Sequence, residues 1–251
     1  MAEKRNKKLF GLVGKNISYS FSRGYFAEKF QKLNLQDHEY VNFDLTVINE
    51  LDDVLKEHDS SLKGMNVTIP YKEEILPFLD KVDKKAKKIG AVNTVKITKK
   101  GKLKGYNTDY YGFKNSLKPL LKKKHKKALI LGTGGASKAV AYALKKLDIE
   151  YTYVTRKAKD ETMLTYDDLN QSIIEDHLII VNCTPLGTSP NISEKPNIPY
   201  EFIAKDHILY DLIYNPAETA FLKSGKDNGA TIKNGLQMLE LQAEKAWDIW
   251  N

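Results

Sequence analysis

The chain of 251 residues contains a single cysteine, Cys183. That excludes an intrachain disulfide framework and any multi-cysteine metal site, and no metal is expected. No stretch approaches the roughly 20 apolar residues that span a bilayer. The opening MAEKRNKKLF carries charge without an apolar run, so it does not read as a signal peptide. These absences predict a protein of the reducing cytoplasm with no membrane partner. The triplets Asn66-Val67-Thr68 and Asn191-Ile192-Ser193 therefore carry no message about glycosylation. Arginine is scarce, and there is neither an internal repeat nor a low-complexity linker.

What is present suits packed cores: 41% of residues are hydrophobic, with 14 tyrosines and 9 phenylalanines. The length allows two modest domains or one large one. The net charge of +8 comes largely from lysine and has two readings. Counterion release would reward a basic nucleic-acid binder. A lysine-rich solvated surface that attracts acidic small molecules is the plainer reading. It is preferred because no recognised nucleic-acid module or aromatic-interleaved basic motif is visible, so no nucleic-acid partner is expected.

Strand and helix signals alternate. Lys8–Val13, Glu39–Phe43 and Gly64–Ile69 read as strands. Helices are expected over Ser22–Asn34, Thr46–His58 and Asp80–Ile89. Thr94–Ile97 and Leu103–Tyr106 flank Lys99-Lys100-Gly101-Lys102, a hairpin signal. After the basic run Lys122–Lys127, read as a solvated approach, a second series begins. It has strands at Ala128–Leu131, Tyr151–Thr155, Leu178–Val181 and Ile208–Leu212, with a helix over Ser137–Leu147. Such alternation predicts an α/β protein of two domains, with parallel sheets covered by helices on both faces.

Gly132-Thr133-Gly134-Gly135-Ala136-Ser137 follows an expected strand and opens an expected helix. The first glycine permits a tight turn, and the second lets backbone approach a pyrophosphate at the helix N-terminus. Ser137 replaces the usual third glycine and is small enough for helix–strand packing. The alternative is a glycine-rich turn with no ligand. Where an NAD site usually has an acidic residue, about 20 residues on, this chain has Thr155-Arg156-Lys157-Ala158-Lys159. A guanidinium can pair with a 2′-phosphate that a carboxylate would repel. NADP is favoured over NAD, against a reading of Lys157 and Lys159 as surface charge.

Three polar clusters interrupt the first series: Ser18-Tyr19-Ser20, Asn66-Val67-Thr68 with Lys72, and Asn93-Thr94 with Asn107-Thr108-Asp109. Strand alternation puts Asn66 and Thr68 on one face. Hydroxyls and amides of this kind suit a ligand bearing a carboxylate and several alcohols. Each cluster taken singly also fits turn or cap chemistry, Asp109 as a helix N-cap and Lys72 as a surface lysine.

In order and spacing these motifs resemble the shikimate dehydrogenase family along nearly the whole chain. The likeness rests on Ser18-x-Ser20, Asn66-Val67-Thr68-Ile69-Pro70-Tyr71-Lys72, Gly90-Ala91-Val92-Asn93-Thr94, Asn107-Thr108-Asp109 and Gly132–Ser137. It continues through Asn182-Cys183-Thr184 with Gly187, Tyr210-Asp211-Leu212-Ile213-Tyr214, and Gly235-Leu236-x-Met238-Leu239-x-x-Gln242.

The resemblance implies a substrate domain over 1–110, a Rossmann-type NADP domain over 111–235, and a C-terminal helix, 236–251, returning to the first. It implies reversible NADPH-dependent reduction of 3-dehydroshikimate to shikimate, on the route to chorismate and the aromatic amino acids. Lys72 and Asp109 become the catalytic pair. Ser18, Ser20, Asn66, Thr68, Asn93, Tyr214 and Gln242 become substrate contacts. Gly132, Gly134, Gly135, Ala136, Thr155, Arg156, Lys157, Thr184, Leu212 and Gly235 become cofactor contacts.

A monomer or homodimer is expected. The rivals are a quinate or dual shikimate/quinate dehydrogenase and a non-catalytic Rossmann-type binding protein. Ser20 favours shikimate over the bulkier quinate, and the intact Lys72 and Asp109 favour an enzyme. The chain departs from the family's usual pattern at Ile17, Phe21, Tyr110, Thr155 and Asp160, none of which touches the catalytic pair. It also ends soon after the Gln242 helix, which predicts no further terminal helix.

Overall fold

The computed structural model describes residues 7–18 and 20–251. Tyr19 of the Ser18–Ser20 motif and the first six residues of the charged opening lie outside the described residues. The chain divides into two compact units: residues 1–108 with 243–251, and residues 109–242.

The first unit contains β1 (Lys8–Gly14), α1 (Phe21–Lys32), β2 (His38–Asp44), α2 (Leu51–Glu57), β3 (Leu62–Val67), β4 (Lys81–Val82), α3 (Lys84–Ile89), β5 (Thr94–Ile97) and β6 (Leu103–Tyr106). Its sheet runs β2-β1-β3-β5-β6-β4. Side-chain alternation along β1 explains why Lys8–Gly14 is apolar almost throughout. Leu9 and Val13 enter one core with Met65 and Val95. Phe10 and Leu12 enter another with Phe26, Phe30 and Trp250.

This sheet is mixed rather than parallel. β1 pairs in parallel with β2 and β3, but β5 is antiparallel to both β3 and β6. The short link between β5 and β6 can only fold a strand straight back, because a parallel return needs a crossover.

Two helices are shorter than expected. Thr46–His58 gives only α2, preceded by a 3-10 turn over Ile48–Glu50. Within Asp80–Ile89, the Asp80 carboxylate accepts from Leu103 N–H (2.8 Å) and from Lys102 Nζ (2.7 Å). This ties β4 to the hairpin, and Asp83 then caps α3.

The second unit contains α4 (Asp109–Leu117), β7 (Lys127–Leu131), α5 (Gly135–Lys145), β8 (Glu150–Thr155), β9 (Met163–Thr165), α6 (Gln171–Asp176), β10 (Ile179–Asn182), β11 (Ile208–Asp211), α7 (Ala220–Asp227) and β12 (Thr231–Lys233). Helix α8 (Leu236–Trp250) starts here, and its residues from Ala243 onward belong to the first unit.

All strands of this sheet are parallel, in the order β12-β11-β10-β7-β8-β9. Ala128 and Ile130 pack towards Phe113 and Val140, while Leu129 and Leu131 pack towards Ile174 and Phe221. Both faces are therefore covered, as parallel sheets require. The basic approach to β7 is answered locally. Lys124 pairs with Asp206, Lys127 with Asp176 (2.6 Å), and His125 is buried against the Asp206 carbonyl. Among the described residues no helix is long and apolar enough to cross a membrane. No cluster of three or more His, Cys, Asp or Glu there could hold a metal.

Candidate active site

In the second unit the strand order reverses between β7 and β10, which is the Rossmann pattern with its ligand crevice at the strands' carboxyl ends. The glycine turn leaves β7 at this point. Gly132 has φ +100°, a conformation that favours glycine. A Cβ there would lie 3.1 Å from the Thr184 methyl, so the turn after β7 and the loop after β10 meet closely. Gly134 precedes α5 with no side chain capping the helix, and a Cβ on Gly134 would meet open space. The first N–H groups of an 11-residue helix are thus presented without a cap. Ser137 is buried and donates to the Gly134 carbonyl (2.6 Å), closing the turn.

Thr155 ends β8, and Arg156 and Lys157 follow it as exposed cations. The Asp160 carboxylate is taken up within its own turn by Thr162 N–H (2.9 Å) and the Thr162 hydroxyl (2.5 Å). These hydrogen bonds hold its pKa below the usual carboxylate range.

Across the end of the sheet, Leu212 N–H donates to the Asn182 carbonyl (3.1 Å) and Gly235 N–H to the Ile213 carbonyl (3.0 Å). Any Cβ on Gly235 would collide with the Leu212 carbonyl. Thr184, Leu212 and Gly235 are thereby gathered at one end of the parallel sheet. Tyr214 is half-buried just beyond β11, and Gln242 is buried on α8 beside Gly112 of α4. Asp109 is buried as the first residue of α4.

In the first unit Asn66, Asn93, Thr94 and Thr108 form a buried network. Tyr40 donates to Asn66 Oδ1 (2.8 Å), and Asn66 Nδ2 faces the Asn93 carbonyl and Thr94 Oγ1, both at 3.3 Å. The Asn93 carbonyl can only accept, which fixes which end of the Asn66 amide faces it. Asn93 Oδ1 accepts from Thr108 N–H (2.6 Å), and its amide donates to Thr108 Oγ1 (3.0 Å). Asn107 donates to the Ala91 carbonyl (3.0 Å).

Thr68 is half-buried, and a Cβ on Gly14 would run into its methyl, so Gly14 lets the loop towards Ser18 pass beside it. That loop is clamped by the Asp44 carboxylate, which accepts from Asn16 N–H (2.7 Å) and Ile17 N–H (3.2 Å). Ser18 is exposed, whereas the Ser20 hydroxyl accepts from Ser22 N–H (3.2 Å) and caps α1. The carbonyl of Lys72 accepts from Val92 N–H (2.7 Å), which joins two of the sequence motifs through backbone. Its side chain is half-buried, not a free surface lysine.

A profile of the shikimate dehydrogenase substrate-binding domain matches residues 12–95. A shikimate dehydrogenase (NADP(+)) of Clostridium botulinum is 41% identical over 249 residues, covering 96% of this chain and 95% of that protein. The chain belongs to the shikimate dehydrogenase family. Its structure superposes on shikimate dehydrogenase from Aquifex aeolicus with a TM-score of 0.86 at 36% identity, covering 98% of this chain and 93% of that one. The Thermus thermophilus enzyme, solved in complex with NADP(H) and shikimate, gives 0.85 at 32% identity, with coverages of 97% and 93%.

Within this family frame, sequence reasoning passed over two residues the structure makes prominent. Tyr40 reads from sequence as one more strand aromatic, yet its hydroxyl is the partner of Asn66. Asp211 reads as part of a motif, yet it is a fully buried carboxylate. The signal that could have found Asp211 is an acidic residue ending an apolar strand, Ile208-Leu209-Tyr210-Asp211.

Proposed function

We propose that the chain catalyses the reversible NADPH-dependent reduction of 3-dehydroshikimate to shikimate. The observation that carries this reading is the 41% identity to a shikimate dehydrogenase (NADP(+)) over 96% of the chain. Two local arrangements support it: the uncapped glycine turn at the strand-order reversal and the buried amide–hydroxyl network of the first unit. Residues 1–108 with 243–251 would form the substrate domain and 109–242 the NADP domain.

The glycine turn fits a dinucleotide diphosphate, because uncapped N–H groups and the positive end of the α5 dipole favour an anion. Gly132, Gly134, Gly135 and Ala136 would line the diphosphate, with Thr184, Leu212 and Gly235 nearer the nicotinamide. Thr155, Arg156 and Lys157 would receive the 2′-phosphate. When bound, NADPH supplies the hydride.

Ser18 and Ser20 would donate hydroxyls to the substrate carboxylate, and the capping role of Ser20 leaves its own hydrogen free to do so. Asn66, Thr68, Asn93, Tyr214 and Gln242 would hold the ring hydroxyls. Negative charge develops on the carbonyl oxygen as it is reduced, so the Lys72 ammonium stabilises that oxygen and delivers its proton. Asp109 accepts a hydrogen bond from the same oxygen once it is a hydroxyl.

Absorbance of the reduced nicotinamide, followed with shikimate or quinate and NADP or NAD, tests the reading. The expected result is turnover of shikimate with NADP, far above either alternative. No absorbance change with any pair removes the catalytic assignment. Lys72→Ala should lower kcat by about a hundredfold or more while moving KM little, because its charge acts in the transition state. A pure KM effect would reassign Lys72 to binding.

A further inference from the structure

The end of β11 holds a carboxylate in a place where a charge is costly. Asp211 is fully buried, and among the described residues no cation pairs with it. It faces Asn182 across the paired strands β10 and β11. Three donors from three segments converge on it. Asn182 Nδ2 (3.1 Å) and Ile213 N–H (3.0 Å) reach Oδ1, and the Thr219 hydroxyl (2.6 Å) reaches Oδ2. Thr219 is the N-cap of α7, so the carboxylate also anchors that helix start.

These bonds continue outward. Asn182 Oδ1 accepts from Thr184 N–H (3.0 Å) and from the Thr184 hydroxyl (2.7 Å). The Thr184 oxygen in turn accepts from Leu186 N–H (3.3 Å). The methyl of the same Thr184 is what a Cβ on Gly132 would meet. On the other side, Ile213 N–H fixes the turn that carries Leu212 and Tyr214, and the Ile213 carbonyl receives Gly235 N–H.

We infer that Asp211 is a positioning residue for NADP binding: it sets the Asn182–Leu186 loop and the Leu212–Tyr214 turn against the glycine turn. The inference rests on the proposed cofactor role of Thr184, Leu212 and Gly235. It also accounts for a buried acid that no catalytic step uses. Its chemistry is that of two acceptor oxygens among three donors. An asparagine can keep the arrangement, because the Thr219 hydroxyl is able to turn and accept from the amide. An alanine cannot.

The test is NADPH binding by nucleotide fluorescence, together with steady-state KM values for NADP and shikimate. Asp211→Ala should weaken NADPH binding about tenfold or more, through loss of hydrogen bonds to a buried acceptor, with a clearly smaller rise in the shikimate KM through Tyr214, which the same turn carries. Asp211→Asn should stay within about threefold for both ligands. Equal rises in the two KM values for the alanine variant overturn the inference, as does unchanged NADPH binding. An asparagine variant as poor as alanine does the same. Should Asp211→Ala fail to fold, Thr219→Val decides: it removes one donor and should weaken NADPH binding several-fold, and unchanged binding overturns the inference. A wild-type protein that binds no NADPH overturns the cofactor reading beneath it, which separates the two failures.

Discussion

Asp211 accepts three hydrogen bonds, yet burial still raises its pKa from 3.8 to about 6. The folded chain therefore holds this proton more tightly than the unfolded chain does. Stability from this group is complete below about pH 4 and is lost as pH rises to about 6, beyond which it is constant. The full swing is about 3 kcal/mol at most. Carboxylates held low by partners, such as Asp80 and Asp176, act in the opposite sense and at lower pH. The informative measurement is thus the difference between wild type and Asp211→Asn in urea unfolding from pH 4 to pH 8. Wild type should lose ground against the variant between pH 4 and 6, and a flat difference would refute the assignment. At this scale the motifs pointed to Asn66 and Asn93, which the structure joins in one buried network. The sequence was silent on Tyr40, because a strand tyrosine says nothing of where its hydroxyl ends. Ser20 shows the converse, a side chain serving as the helix cap that local sequence suggests.

Among the elements, the β7–turn–α5 unit was readable almost to the residue, because an apolar strand, glycines and an alanine-rich helix agree. Gly132 concentrates that information. Gly132→Ala must hold a non-glycine residue at φ +100° and place a methyl 3.1 Å from that of Thr184. The expected cost is about 1–2 kcal/mol of stability from the backbone alone. NADPH binding should weaken more than shikimate binding, measured as separate dissociation constants, and equal weakening would deny the turn its role. The strands missed lie at sheet edges: β4, β9 and β12 span two or three residues each. Segments so short carry no periodicity, and only pairing with a formed neighbour defines them. The mixed first sheet was missed for a related reason, since the hairpin was visible but its attachment to β3 is a non-local choice.

For the whole molecule, two α/β units were legible from alternating strands and helices, while the division within α8 was not, since a continuous helix shows no break in sequence. Trp250 is buried over Gly64, with its ring centroid 5.0 Å from that of Phe10 and 5.3 Å from that of Phe26, and its Nε1 donates to the Val95 carbonyl (3.0 Å). Trp250→Ala should cost about 3–5 kcal/mol. In calorimetry the loss should fall on the transition of the first unit, and an unmoved profile would refute that role.

The same tryptophan bears on how the chain is made. A ribosome releases residues 1–108 early, but the side chain that covers Phe10 and Phe26 is added some 140 residues later, on the order of ten seconds at ordinary elongation rates. The second unit, continuous from 109 to 242, has all its strands before then. While the strands of the later unit emerge, the nascent earlier one waits with an aromatic face uncovered, the state in which a chaperone would find it.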